Sequence, residues 1–230
     1  MPETTPLALV TGASRGIGAA IAHALEPSHE VLLGGRDLDA LTEQVAGGHR
    51  VRPWPVDLTD FSALRRATAG IDRLDVLVHS AGVAELGTVE QAPPSAWRTS
   101  FEVNVVAVAE LTRLLLPALR AAGGHVVVIN SGQGLAARSG WGPYAASKFA
   151  VRALADVLRA EESANGIRVT TIYAGRTDTE MQRAVTAEEG KEYTPGEYLR
   201  PESVATAVLT AVSATPDAHI TELTVRPKPH

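Results

Sequence analysis

Two kinds of apolar run alternate along the chain. Short runs of β-branched residues and leucine, apolar at consecutive positions, predict strands at Leu7–Thr11, Val31–Leu33, Val51–Val56, Leu74–His79, Val126–Asn130, Val169–Tyr173 and Ile220–Val225. Between them lie longer helical stretches, beginning with the alanine-rich Gly16–Glu26. Val126 to Ile129 is apolar at every position, which is how a strand reads when helices cover both faces of its sheet. The alternation predicts an α/β fold, a doubly wound parallel sheet of about seven strands flanked by helices on both faces.

Two of the helices carry further expectations. In Glu102–Ala121, Val105, Val108, Leu111, Leu115 and Leu119 fall on nearly one face, and Val106 and Leu114 widen it, so burial on two sides is predicted. Tyr144–Ser163 is the second, stopped by Asn165 and Gly166. Either could form a subunit interface. From Arg176 to Arg200 the chain turns polar, which predicts an irregular lid. With no repeat or linker visible, residues 1–230 read as one domain.

Composition narrows the class of function. Hydrophobic residues at 45% and charged residues at 20% suit an ordinary globular chain rather than a disordered or membrane protein. The net charge of −5 and the lack of a basic run argue against a nucleic-acid partner. Absence of cysteine removes disulfides, thiolate metal sites and cysteine nucleophiles, and no metal site is expected. Met1 to Thr5 lacks the basic start of a secretory signal, and no apolar run reaches membrane-spanning length, so a cytoplasmic location is expected.

The candidate chemistry begins where the first strand runs into Thr11-Gly12-Ala13-Ser14-Arg15-Gly16-Ile17-Gly18. Glycines at a strand-to-helix turn let the backbone approach a pyrophosphate, and the amides and dipole of the following helix stabilise it. No lysine follows the last glycine, which sets aside a nucleoside-triphosphate loop. After the second strand comes Gly34-Gly35-Arg36-Asp37, where a carboxylate would select a ribose 2′-hydroxyl and an arginine a 2′-phosphate. Arg36 with Arg15 predicts NADP(H), with NAD(H) the alternative. Asp37 can serve as a helix cap or as a ribose ligand.

Tyr144 and Lys148, at i and i+4, share a helix face, and only three lysines exist in the chain. A cation near a phenol favours phenolate and moves its pKa toward a useful range. Ser131 ends the fifth strand, at the edge where open α/β sheets bind ligands, and could hold a substrate carbonyl; alternatively it begins a loop. His79 reads as a buried strand histidine. Trp97 and Trp141 are open to pocket, interface or core roles.

This ordered set resembles the short-chain dehydrogenase/reductase family in its compact form, over nearly the whole chain. The resemblance places Gly12, Ser14, Arg15, Gly16, Ile17 and Gly18 in a cofactor turn. Arg36, Asp57, Leu58, Ser80, Ala81 and Gly82 would lie at the adenosine side, and Gly175, Thr177 and Thr179 at the nicotinamide and phosphates. It implies Tyr144 as general acid or base, Ser131 polarising the carbonyl, and Lys148 lowering the tyrosine pKa while binding the nicotinamide ribose. Asn104 would hold a proton-relaying water, or else make a purely structural hydrogen bond. Asp57 could equally cap a helix.

The chain departs from the family pattern at three places: His79-Ser80-Ala81-Gly82 stands for Asn-Asn-Ala-Gly, Ala174-Gly175 for Pro-Gly, and Thr177 for an aliphatic residue. The implied activity is oxidoreduction of a small-molecule ketone or aldehyde and its alcohol by a homodimer or homotetramer. A non-catalytic NADP(H)-binding regulator and a sugar-nucleotide epimerase are the alternatives.

Overall fold

Val127 and Ile129 are buried on one side of their strand, and Val126 and Val128 on the other. The computed structural model describes residues 5–45 and 48–228, so the reading of Met1 to Thr4 lies outside the described residues. Its strands are β1 (Leu7–Thr11), β2 (Glu30–Gly35), β3 (Val51–Pro55), β4 (Val76–His79), β5 (His125–Ser131), β6 (Arg168–Ala174) and β7 (Glu222–Val225). They pair in parallel throughout, in the order β3-β2-β1-β4-β5-β6-β7. β3 is an edge, where Pro53 and Pro55 are tolerated because a missing ladder donor can face outward.

The helices are α1 (Gly16–Leu25), α2 (Leu38–Val45), α3 (Phe61–Thr68), α4 (Pro94–Phe101), α5 (Ala107–Ala122), α6 (Gly142–Glu162), α7 (Glu180–Glu188) and α8 (Pro201–Val212). One face of the sheet is covered by Ile21 and Leu25 of α1, Leu41 of α2, and Val204 and Val208 of α8. The other face is covered by Leu64 of α3, Leu111, Leu115 and Leu119 of α5, and Val151 and Leu158 of α6. Each fully buried aliphatic side chain contributes roughly 1.5–3 kcal/mol, so two covered faces account for the unbroken apolar runs. No helix among the described residues is long and apolar enough to cross a membrane.

Two expectations need correction. The stretch predicted as one helix from Glu102 to Ala121 is helical, but its first turn, Glu102–Val106, is a π-turn that joins α4 to α5. The wider turn rotates its own side chains, and Val106 at its end is 41% exposed rather than part of a buried face. Leu114 does pack against the core. The segment from Arg176 to Arg200 is irregular only in part: it contains α7, whose first turn is capped by Thr179 accepting from the Gln182 N–H at 3.2 Å. Ion pairs Arg176–Glu189 and Arg183–Asp178 tie the helix to its flanks.

Strand order reverses between β1 and β4, and a doubly wound sheet opens a crevice beyond the carboxyl ends of its strands at such a point.

Candidate active site

Thr11, the last residue of β1, holds the crevice open at a fixed width. Its hydroxyl donates to the Val78 carbonyl at 3.3 Å and accepts from the Ser80 and Ala81 amides at 3.0 and 3.1 Å. The next residue, Gly12, has φ of +67°, and a Cβ there would lie 2.9 Å from the Ala81 backbone. At Gly18 a Cβ would collide with the Gly12 carbonyl oxygen. Only glycine lets β1, the start of α1 and the end of β4 meet this closely.

A cleft of about 2000 Å³ follows this crevice and is lined by Gly12, Ser14, Arg15, Gly16, Ile17 and Gly18. Arg15 occupies the N-cap position of α1 with no side-chain cap, and the first turn of that helix carries no acidic residue. The leading amides of α1 therefore keep their hydrogen-bonding capacity for an anion. A glycine cradle whose space a Cβ would fill, beside an uncapped helix start, fits the pyrophosphate of a dinucleotide.

Arg36, Asp57, Leu58, Ser80, Ala81 and Gly82 line the same cleft. The Asp57 carboxylate accepts from the Thr59 hydroxyl at 2.7 Å and the Thr59 amide at 2.9 Å. Those bonds, with the nearby Arg36 charge, hold its pKa below the usual carboxylate range. Asp60, not Asp57, caps α3 through the Ser62 and Ala63 amides. Asp37 caps α2, its Oδ1 accepting from the Asp39 and Ala40 amides. Arg15 lies on an ion pair with Glu180 at 2.7 Å.

At the far end of the cleft, Ser131, Tyr144 and Lys148 come together. Ser131 ends β5, and Tyr144 and Lys148 stand in the first two turns of α6, with the Lys148 Nζ 5.7 Å from the phenol ring centroid. Lys148 is 8% exposed and donates to the Ile129 carbonyl at 3.1 Å. Burial lowers its pKa to about 8.

The expected lowering of the Tyr144 pKa is not what this environment gives. Burial pushes the phenol above its ordinary value, and the Ser131 hydroxyl works against that in part. Desolvation of a phenolate outweighs the hydroxyl here, which favours the neutral phenol. Trp141 packs against it with ring centroids 5.6 Å apart, and the Arg176 guanidinium lies 5.9 Å from the Trp141 ring centroid. Trp141 is thus a cleft residue, whereas Trp97 contributes to the packing of α4 on the start of α6 at Gly142.

Of the residues expected in the site, Asn104 alone does not line the cleft. It is buried in the π-turn, where its carbonyl oxygen accepts from the Val83 amide at 2.9 Å. Its amide group donates to the Val83 carbonyl at 3.0 Å and the Ser147 hydroxyl at 2.9 Å. These bonds tie the π-turn to Val83 and to α6. His79 is likewise buried, bonded to the Thr112 hydroxyl, with its pKa lowered to about 4 by burial.

Gly175, Thr177 and Thr179 line the cleft as expected. Gly175 does not use a positive φ; it is required because a Cβ would come within 2.9 Å of Pro227. The buried Thr177 donates to the Gly175 carbonyl, and Thr179 to the Thr177 carbonyl, which winds the loop into α7.

Several functional positions carry no signal in the sequence. Asn130 accepts from the Ser131 amide at 2.7 Å and donates to the Lys148 carbonyl at 3.1 Å, so one side chain ties the end of β5 to α6. Gly134 lets the two approach, since a Cβ would sit 2.6 Å from the Asn130 Oδ1 and 2.9 Å from the Lys148 carbonyl. Ser147 links Asn104 to the Tyr144 carbonyl, to which it donates at 2.7 Å.

A family model described as short chain dehydrogenase matches residues 6–190. The chain is 35% identical over 242 residues to glycine betaine reductase ATRR of Emericella nidulans, covering 99% of this chain and 19% of that protein. It therefore spans about a fifth of that relative's length. It is also 32% identical over 246 residues to dehydrogenase/reductase SDR family member 11 of Mus musculus, covering 96% of this chain and 94% of the other. Among solved structures, an alcohol dehydrogenase from the archaeon Thermococcus sibiricus complexed with 5-hydroxy-NADP superimposes with a TM-score of 0.86. Its identity is 27%, and the match covers 98% of this chain and 99% of that one.

Proposed function

Because the chain belongs to the short-chain dehydrogenase family, we propose that it is an NADP(H)-dependent oxidoreductase interconverting a ketone or aldehyde with its alcohol. The observation that carries this reading is the meeting of Ser131, Tyr144 and Lys148 in a cleft that continues into the glycine crevice. NADP(H), when bound, supplies or accepts the hydride.

The side chains do the rest. The Ser131 hydroxyl orients the carbonyl oxygen and favours charge developing on it. Tyr144, whose neutral form burial favours, gives its proton to that oxygen during reduction and takes it back from an alcohol in the reverse direction. Lys148 uses one of its three donors on the Ile129 carbonyl, which would leave the others for the ribose hydroxyls of a bound dinucleotide. Its positive charge, 5.7 Å from the ring centroid, would stabilise the Tyr144 phenolate left once the proton has gone. Arg36, with Arg15, supplies cations for the 2′-phosphate, a preference supported by the NADP derivative held by the archaeal neighbour.

The test is Tyr144→Phe, assayed by NADPH absorbance on a panel of ketones and aldehydes and by NADPH fluorescence for binding. Binding is expected to be retained, with turnover down about 10²–10⁴-fold. Unimpaired turnover by the variant removes Tyr144 from this role. If the unmodified protein binds NADPH yet turns over no carbonyl compound, it is a binding regulator instead.

A further inference from the structure

An ion pair joins the glycine-rich turn to α7 at the edge of the cleft. Arg15 belongs to the glycine-rich turn and Glu180 is the first residue of α7, far along the chain, yet Arg15 Nη1 and Glu180 Oε2 are 2.7 Å apart. Both side chains are mostly exposed and both line the cleft. A second contact lies beside them: a Cβ on Gly16 would be 3.1 Å from the Thr179 methyl, so the N-terminus of α7 rests on the turn itself. Arg15 is thus held toward α7 by a carboxylate of the chain's own.

We propose that Glu180 is a cofactor-specificity residue, an internal anion that competes with the 2′-phosphate of NADP(H) for Arg15. The inference rests on the NADP(H) reading of the cleft. Nη1 is the atom on Glu180, so a phosphate gripped bidentately through that edge of the guanidinium competes with the carboxylate for it. NAD(H) has no 2′-phosphate and makes no such demand, so Arg15 stays on Glu180 and α7 stays fastened to the turn. NADP(H) therefore binds at the cost of the latch, and Glu180 lowers its advantage over NAD(H). The pair is solvent-exposed, so the effect is bounded at about fivefold.

Glu180 also repels any nucleotide pyrophosphate entering the cleft, which would weaken both dinucleotides alike. The ratio of the two affinities separates this general repulsion from competition for Arg15. The experiment measures NADPH and NADH dissociation constants by fluorescence titration for four proteins: unmodified, Glu180→Gln, Arg15→Met, and the double variant. Glu180→Gln is expected to raise the NADPH-over-NADH preference about two- to fivefold, and to leave that ratio unchanged when Arg15 is already methionine. An equal change for both dinucleotides, a fall in the ratio, or the same gain in the Arg15→Met background overturns the proposal. Failure of the unmodified protein to bind either dinucleotide would instead overturn the reading on which it rests.

Discussion

Asn104 and Ser147 join the π-turn to α6 through a buried hydrogen bond of 2.9 Å. Ser147 passes the connection on to the Tyr144 carbonyl. The position of the phenol along its helix thus depends on a carboxamide that never reaches the cleft. Asn104→Ala leaves the half-buried Val83 amide and carbonyl and the buried Ser147 hydroxyl without their side-chain partner, a combined loss of roughly 2–3 kcal/mol. An unfolding midpoint lower by about 5–10 °C is expected by calorimetry. Ser147→Ala, which breaks one link only, should cost about 1 kcal/mol, or roughly 2–4 °C. Equal midpoints for Asn104→Ala and the unmodified protein would mean that the π-turn is held by other contacts.

Much of this site could be read from the residues alone, and the parts that could not share a physical cause. The strands were legible because Val126 to Ile129 is apolar without interruption, and the crevice because Gly12, Gly16 and Gly18 sit where a strand becomes a helix. Tyr144 and Lys148 were legible because helical spacing is local. The π-turn was not, since one extra residue in a turn leaves no mark in the pattern around Asn104. Helix α7 was hidden because a threonine cap and ion pairs hold it more than an apolar face does. Nor does any spacing rule join Arg15 to Glu180, or show that burial rather than Lys148 dominates the Tyr144 phenol. Those outcomes are set by which elements come to lie side by side.

Lys148 has its own consequence for stability. Its pKa of about 8 in the fold lies below the ordinary value of 10.5, so between these values the unfolded chain binds more protons than the folded one. Stability therefore rises as pH climbs from about 8 to 10.5, and the penalty for burying the cation is complete below pH 8. Lys148→Met removes that penalty. Its midpoint should equal or exceed that of the unmodified protein at pH 7, and the gap should narrow toward pH 10, while carbonyl turnover is lost. A variant that is less stable by the same margin at both pH values would mean that packing and the Ile129 bond outweigh the buried charge.

Arg36 is placed beside Asp57 and on the wall of the cleft. Arg36→Asp replaces a phosphate-binding cation with an anion. A charge-assisted hydrogen bond contributes roughly 1.5–3 kcal/mol, so NADPH is expected to bind about 10–100-fold more weakly, with a much smaller change for NADH. Parallel losses for the two dinucleotides in isothermal titration would show that Arg36 does not read the 2′-phosphate.

Gly134 gives the most direct test of how the reacting groups are brought together. An alanine methyl there would press on the Asn130 carboxamide and the Lys148 carbonyl at once, two groups that Asn130 itself holds together. The flexible partner can yield only by giving up its bonds to Ser131 and α6, because the other obstruction is helix backbone. Gly134→Ala should therefore move Ser131 away from Tyr144 without touching the glycine crevice at Gly12. Overpacking of this kind costs about 1–3 kcal/mol, a modest loss of stability. Turnover should fall by about 10²-fold, as expected for a displacement near 1 Å, while NADPH affinity stays within a few-fold. Matched losses in affinity and turnover would place the damage in the cofactor cleft and contradict the separate anchoring of its two ends.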